Sequence, residues 1–254
     1  MSKKRTARQD AIMNELIASG SVSVKELAGQ YAVSEETIRQ DLTRMEDMGL
    51  CARIHGGATL APYREVSTDI KTNERAREKN AIAKRAVEEI HDGMTVWIGP
   101  GSTLTALARY LPLRRDLTII TNNLDFASAT KNTRHEIIFI GGRVQKRGAC
   151  TVGAFALENL SQVRIDLAFM GCDGFSLREG PTTFSFEETE IKRFILHHAE
   201  KRILLCDASK FALTGSFIFA RYEDFESIIT DQPLPKDAAE AAASVRMILV
   251  QQEP

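Results

Sequence analysis

The segment Val33-Ser34-Glu35-Glu36-Thr37-Ile38-Arg39-Gln40-Asp41-Leu42-Thr43-Arg44-Met45 brings Ile38, Leu42 and Met45 within about 60° of one another when each residue is turned by 100°. That is the buried stripe of a helix. Ser34 stands just ahead of it as an N-cap, its hydroxyl placed to accept from a free amide of the first turn. Opposite the stripe lie Glu36, Gln40, Thr43 and Asp47, flanked by Thr37, Arg39 and Arg44. Toward the N-terminus, a helix carrying Ile12, Met13, Leu16 and Ile17 on one face is stopped at Gly20. Ser23-Val24-Lys25-Glu26 then has the spacing of a capping box. It opens a short helix with Val24, Leu27 and Ala28 inward, ending near Tyr31. Beyond the quoted segment, Ala52, Ile54, Ala58 and Leu60 alternate about Gly56-Gly57, a pair that accepts the positive φ of a tight hairpin turn. Two helices joined by a short turn and followed by a hairpin predict a winged helix-turn-helix over residues 1–60.

Placed in a major groove, such a helix turns its first residues to base edges. Gln40 suits bidentate pairing with adenine, and Glu36 suits acceptance from cytosine N4. Arg39 and Arg44 suit phosphates, which position without specifying sequence. Arg53 and His55 on the hairpin reach neighbouring backbone or a minor groove. Charge does not separate this reading from a solvated bundle face. Residues 1–60 hold eight Lys/Arg and eight Asp/Glu, four of the positives lying within Lys3–Arg8, whereas a nucleic-acid footprint usually shows a basic excess.

The whole chain is similarly balanced. Its 254 residues are 43% hydrophobic and 26% charged, with a formal net charge of -1, which gives no bulk attraction to a polyanion. No apolar run approaches the ~18 residues that cross a bilayer, and the polar start argues against a signal peptide. Four scattered cysteines (Cys51, Cys150, Cys172, Cys206) make no Cys-x-x-Cys pair, so neither a zinc framework nor a disulfide scaffold is expected. A cytoplasmic protein with reduced thiols follows, with no cofactor and no membrane partner.

Residues 61–79 are polar and lack an apolar period, a linker. From 80 to 254 the pattern changes to α/β. Strands are predicted at Thr95–Ile98, Leu117–Ile120, Glu136–Ile140, Ile165–Met170, Arg202–Leu205, Glu226–Ile229 and Arg246–Val250, with helices at 80–91, 102–111, 154–163 and 185–199. This alternation predicts a mostly parallel sheet covered by helices, and such sheets bind ligands beyond the carboxyl ends of their strands. The loops at those ends are Gly99-Pro100-Gly101-Ser102-Thr103, Thr121-Asn122-Asn123, Gly141-Gly142-Arg143, Gly171-Cys172-Asp173-Gly174, Cys206-Asp207-Ala208-Ser209-Lys210 and Thr230-Asp231. Gly101, Ser102 and Thr103 at a helix start suggest a phosphate cradle, with Lys210 and Arg143 adding charge. Taken singly, each loop is better explained by turn and cap formation. Together they point to a small anionic ligand, such as a phosphorylated sugar.

Val33-Ser34, Thr37-Ile38-Arg39-Gln40-Asp41-Leu42 and Arg53-Ile54-His55-Gly56-Gly57-Ala58 resemble the N-terminal signature of DeoR-type bacterial transcriptional regulators, which usually carry a second Arg where Gln40 stands. Residues 75–235 resemble the C-terminal effector domain of that family, whose fold is related to ribose-5-phosphate isomerase. The resemblance rests on Gly101-Ser102-Thr103, Thr121-Asn122, Gly141-Gly142, Val152-Gly153, Asp166…Gly171…Gly174, Glu188…Lys192-Arg193 and Asp207…Ser209-Lys210-Phe211. The family's usual Asp after the first strand is here Gly99. The resemblance implies a regulator, expected to be a repressor, that binds operator DNA through Ser34, Glu36, Thr37, Arg39, Gln40, Thr43, Arg44, Arg53 and His55. Its effector site is expected to hold Gly101, Ser102, Thr103, Asn122, Gly141, Gly142, Arg143, Asp173, Glu188 and Lys210. Paired half-sites imply a homodimer or homotetramer.

Two alternatives stay open at this point: a phosphosugar isomerase-like enzyme with an appended helix-turn-helix, and a protein-binding adaptor. Catalysis is not expected. Asp207 beside Ser209 suffices to shape a turn, and Glu188 with Lys192 suffices as an i,i+4 pair. His197-His198 point to different sides of a helix, and His91 and His135 are expected at the surface.

Overall fold

A computed structural model describes residues 3–47, 51–60, 75–145 and 148–250. The N-terminal module is built from α1 (Lys3–Ser19), β1 (Ser21–Ser23), α2 (Val24–Gln30), α3 (Glu35–Asp47), β2 (Cys51–Ile54) and β3 (Gly57–Leu60). Ile12, Met13, Leu16, Leu27, Ile38, Leu42 and Met45 are buried together with Cys51 and Ala58. Full burial of an apolar side chain of this size stabilises by about 1.5–3 kcal/mol, so this cluster is the module's own core. The side chains of Ile17 and Asp47 lie outside the described residues, as do those of Lys3, Lys4 and Arg5. Ser34 caps α3, its Oγ accepting from the Thr37 N–H at 3.2 Å.

Two details depart from expectation. The hairpin is widened by β1 into a three-stranded antiparallel sheet of order β1-β3-β2. Gly57 permits this close pairing, since a Cβ there would lie 2.1 Å from the Val22 carbonyl oxygen. The capping box at Ser23 does not form, and its side chain makes no cap bond. Ser23 is the last residue of β1, paired with Gly57, and that pairing fixes where its backbone and side chain go.

The larger module contains α4 (Ala76–Val87), β4 (Thr95–Ile98), α5 (Ser102–Thr105), β5 (Thr118–Thr121), α6 (Leu124–Ala129), β6 (Glu136–Phe139), β7 (Arg143–Gln145), β8 (Cys150–Val152) and α7 (Ala154–Leu160). It continues with β9 (Ile165–Met170), β10 (Gly174–Ser176), β11 (Gly180–Thr183), α8 (Phe186–His198), β12 (Ala199–Leu205), β13 (Phe217–Ile218), β14 (Ser227–Thr230), α9 (Lys236–Ala241) and β15 (Arg246–Leu249). All seven expected strands join one parallel sheet of order β15-β14-β12-β9-β4-β5-β6. Side chains alternate between two cores. Val96, Ile98, Leu167, Phe169, Ile203 and Leu205 face α4 and the segment after β4. Trp97, Ala168, Met170, Leu204 and Cys206 face α7 and α8. A sheet buried on both faces needs continuous apolar strands, and the sequence supplies them. β10, β11 and β13 form a small antiparallel sheet, and β7 pairs with β8; neither was expected.

The helix expected from residue 80 starts at Ala76, and residues 61–74 lie outside the described ones. The helix expected over 102–111 has one α-helical turn, Ser102–Thr105, and continues as 3-10 helix through Arg109. No described helix is long and apolar enough to cross a membrane.

Candidate DNA-reading helix and effector cavity

On α3 the stripe opposite the core is open to solvent. Ser34, Glu36, Arg39, Gln40 and Arg44 are exposed, and Thr37 and Thr43 are half-buried. Arg39 pairs with Glu35 at 2.6 Å and Glu36 at 3.8 Å. The Thr43 hydroxyl donates to the Arg39 carbonyl at 2.9 Å and accepts from Arg53 at 3.1 Å, so the wing is tied to the helix beside Gln40. His55 is exposed at the wing tip, as is Ile54. Asp41 is buried on the inner flank of the helix. It accepts from Arg8 and Gln9, which fix the angle between α1 and α3.

The second site follows from topology. From β4 the chain runs outward to β5 and β6, then returns to the other side for β9, β12, β14 and β15. The strand order therefore reverses between β4 and β9, and a crevice opens there at the carboxyl ends. A cavity of about 70 Å³ lies in it, lined by Pro100, Gly101, Ser102, Thr103, Gly171, Cys172, Lys192, Cys206 and Lys210 among others. A narrower recess of about 10 Å³ adjoins it, sharing Pro100, Gly171 and Lys192, and reaches Trp97, Gly99, Asn122 and Glu188. The first is roomy enough for several waters or one anionic group; the second is about one water wide.

The walls are braced from behind. The Thr121 hydroxyl donates to the Ile98 carbonyl at 2.6 Å, and Asn123 donates to the Gly99 carbonyl at 3.2 Å and to Thr105 at 3.0 Å. Lys192 is buried and donates to the Gly171 carbonyl at 3.0 Å, with Glu188 at 3.8 Å and its ammonium over the Phe219 ring. Glu188 also accepts from Gln145 at 2.7 Å. Lys210 is half-buried and forms no ion pair among the described residues. Asn122 donates to the Thr151 carbonyl, whereas its Oδ1 is buried without a hydrogen-bond partner. At Gly99 a Cβ would lie 3.3 Å from the indole Nε1 of Trp97, so this glycine leaves room for the tryptophan ring that walls the recess. Because α5 is a single turn, its dipole contributes little. Positive charge in the crevice comes from Lys192 and Lys210.

Of the residues expected at the effector site, Gly101, Ser102, Thr103 and Lys210 line the larger cavity, and Asn122 and Glu188 the recess. Gly141, Gly142, Arg143 and Asp173 line neither. Arg143 is exposed on β7 and pairs with Glu187. A Cβ at Gly142 would lie 2.7 Å from the Val152 carbonyl oxygen, a close backbone approach. Asp173 accepts from the Thr183 hydroxyl at 2.8 Å and the Phe184 amide at 3.2 Å, which secures the β10–β11 hairpin. Lys192 was missed as a liner, although it follows Glu188 by one helical turn. His135 is buried and not at the surface: its Nε2 sits 2.9 Å from the Leu111 carbonyl, and burial pulls its pKa below 6.5. No group of three or more metal-ligating side chains occurs among the described residues.

Behind Lys210, Asp207 shapes the turn by accepting from the Ser209 amide at 3.0 Å. Arg75, in the left-handed conformation just ahead of α4, brings its Nε to 3.7 Å from Asp207 and also pairs with Asp231 and Glu78. Both aspartate side chains are fully buried.

A winged helix-turn-helix joined to a parallel α/β domain with a crevice at its switch point defines a DNA-binding transcriptional regulator with a sensor domain. The chain belongs to the DeoR family: residues 8–62 match the DeoR-like helix-turn-helix domain, and residues 74–232 match the DeoR C terminal sensor domain. It is 32% identical over 236 residues to the glycerol-3-phosphate regulon repressor of Escherichia coli, covering 91% of this chain and 93% of that one. It is 33% identical over 231 residues to the lactose phosphotransferase system repressor of Staphylococcus epidermidis, covering 88% and 91%. Among solved structures it is similar to ribose 5-phosphate isomerase from Plasmodium falciparum, with a TM-score of 0.39 and 18% identity over 54% of this chain and 52% of that one.

Proposed function

We propose that this regulator is a cytoplasmic repressor that releases or engages its operator in response to a phosphorylated sugar or a closely related anionic metabolite. Residues 1–60 read DNA, 61–79 connect, and 80–254 sense. The observation that carries the effector assignment is the switch-point cavity, lined by Lys192, Lys210, Ser102 and Thr103. Two ammonium groups and two hydroxyls around one anion-sized space suit a phosphate group. The adjoining recess, with the unfilled Asn122 Oδ1, suits a donor such as a sugar hydroxyl. The names of the two relatives, a glycerol-3-phosphate regulon repressor and a lactose phosphotransferase system repressor, accord with that ligand class.

On DNA, Gln40 and Glu36 read bases, Arg39 and Arg44 hold phosphates, and Arg53 and His55 follow the backbone beside the wing. Operator half-sites are read by a homodimer or homotetramer. Turnover is no part of this function: Glu188 and Lys192 hold each other and the wall, and Asp207 is committed to its turn and to Arg75. A gel shift on the intergenic DNA beside the gene, repeated with a panel of phosphorylated sugars, tests the whole. A retarded band released by one sugar phosphate and not by its unphosphorylated sugar is expected. Absence of a retarded band at low salt overturns the operator reading.

A further inference from the structure

Cys172 and Cys206 stand on neighbouring parallel strand ends. Leu204 pairs with Met170 in the β12–β9 ladder, and extending that register by two residues sets Cys206 opposite Cys172. Met170, Leu204 and Cys206 all face the same core, and Cys172 packs against it, so the two thiols leave the sheet on one side. Parallel neighbours lie about 4.8 Å apart, inside the roughly 4.4–6.8 Å range of Cα separations that a disulfide spans. Both side chains line the larger cavity, together with Lys192 and Lys210. Neither is bonded to another cysteine. Cys172 is part-exposed and Cys206 is buried behind it. The Cys206 thiol is within hydrogen-bonding reach of Cys172, and that contact together with burial keeps Cys206 protonated.

We infer that Cys172 and Cys206 form a peroxide-oxidisable dithiol within the effector cavity, and that its disulfide form closes the cavity to anions. The part-exposed thiol, Cys172, is the nucleophile, because a peroxide entering the cavity reaches it before the buried Cys206. Its sulfur attacks the O–O bond of a hydroperoxide, forming Cys172 sulfenic acid, and the displaced oxygen takes up a proton and departs as water or alcohol. Cys206 sulfur then attacks the sulfenic sulfur. The S–S bond forms, the S–O bond breaks, and the Cys206 proton leaves with the hydroxide as a second water. The dithiol gives up two electrons and the peroxide takes them. In a reducing compartment such a bond is transient, which suits a sensor and not a structural staple.

The test uses the full-length protein treated with hydrogen peroxide, with inorganic phosphate as the cavity probe. Peptide mapping after alkylation is expected to show a Cys172–Cys206 linked peptide, reversed by dithiothreitol and absent in Cys172→Ser and Cys206→Ser. Phosphate is expected to raise the melting temperature of the reduced protein and to lose that effect in the oxidised one. Full alkylation of both thiols after peroxide, or unlinked sulfinic acid at Cys172, overturns the pairing. That readout uses wild-type protein and does not depend on how the variants fold. A linked protein that still responds to phosphate overturns cavity closure. The closure half rests on the effector function proposed above. If the reduced protein ignores both phosphate and the sugar phosphates, that function fails, while the linked peptide still decides the dithiol.

Discussion

Asp41 of the DNA-reading helix accepts hydrogen bonds from two successive residues of the first helix, Arg8 at 2.6 Å and Gln9 at 3.0 Å, while its own side chain is almost entirely buried. A buried carboxylate therefore holds this helix against the first one. Asp41→Asn keeps the shape but turns one acceptor into a donor facing donors. It is expected to lower the stability of the module by about 1–3 kcal/mol and to weaken operator and non-operator DNA alike. Urea unfolding followed by tryptophan-independent circular dichroism checks the first. Loss of preference at a single base pair would contradict the second.

The roles proposed for the neighbours Arg39 and Gln40 differ. The exposed Arg39–Glu35 pair is worth only about 0.3–0.5 kcal/mol, so Arg39 is readily released to a phosphate. Arg39→Ala is expected to weaken all sequences and to flatten the salt dependence of binding, its slope dropping by roughly 0.9 for one contact. Gln40→Ala is expected to cost about 1–3 kcal/mol of discrimination at one position. Fluorescence anisotropy on an operator and its single-base variants, at several salt concentrations, separates the two.

At the cavity, Lys210 forms no ion pair among the described residues, so its removal strands no buried partner there. Lys210→Ala is expected to leave folding intact and weaken effector response at least tenfold, since a charge-assisted bond contributes about 1.5–3 kcal/mol. Ser102→Asp adds a carboxylate to the cavity lining and is expected to abolish the response while operator binding persists. Titration calorimetry with the active sugar phosphate measures both, and an unaltered dissociation constant for Ser102→Asp would move the site elsewhere.

His135 supplies a pH signature. Its folded pKa lies below the unfolded value of 6.5 because burial disfavours the charged ring. Below pH 6.5 the unfolded chain therefore binds the proton that the native state refuses, and stability falls as pH drops toward the folded pKa. Above pH 7 the contribution is fully present. Denaturant midpoints from pH 8 down to pH 5 are expected to show this decline in the wild type. His135→Gln is expected to show a shallower one.

The two-module plan was legible because burial writes itself into sequence. Ile38, Leu42 and Met45 repeat at helical spacing, and strands covered on both faces, such as Ile165–Met170, are apolar throughout. What stayed hidden depends on long-range pairing. Ser23 has the residues of a capping box, but Gly57 draws it into a strand. β10 and β11 hold Gly174, Pro181 and Thr182, whose apolar pattern is weak, so nothing local marks them as strands. Lys192 reads as the helical partner of Glu188 until the fold brings its ammonium to the Gly171 carbonyl. Arg143 and Asp173 sit at the right strand ends, yet β7 and the β10–β11 hairpin carry them off to structural duties. His135 gives no hint of its carbonyl partner, which lies 24 residues away.

Arg75, the first described residue beyond Leu60, pairs with the buried Asp207 and Asp231 just past the ends of the neighbouring strands β12 and β14. Three positions past Asp207, the same turn carries Lys210 into the cavity wall. Where the described chain resumes, it is therefore anchored to the same turn that puts an ammonium group in the crevice.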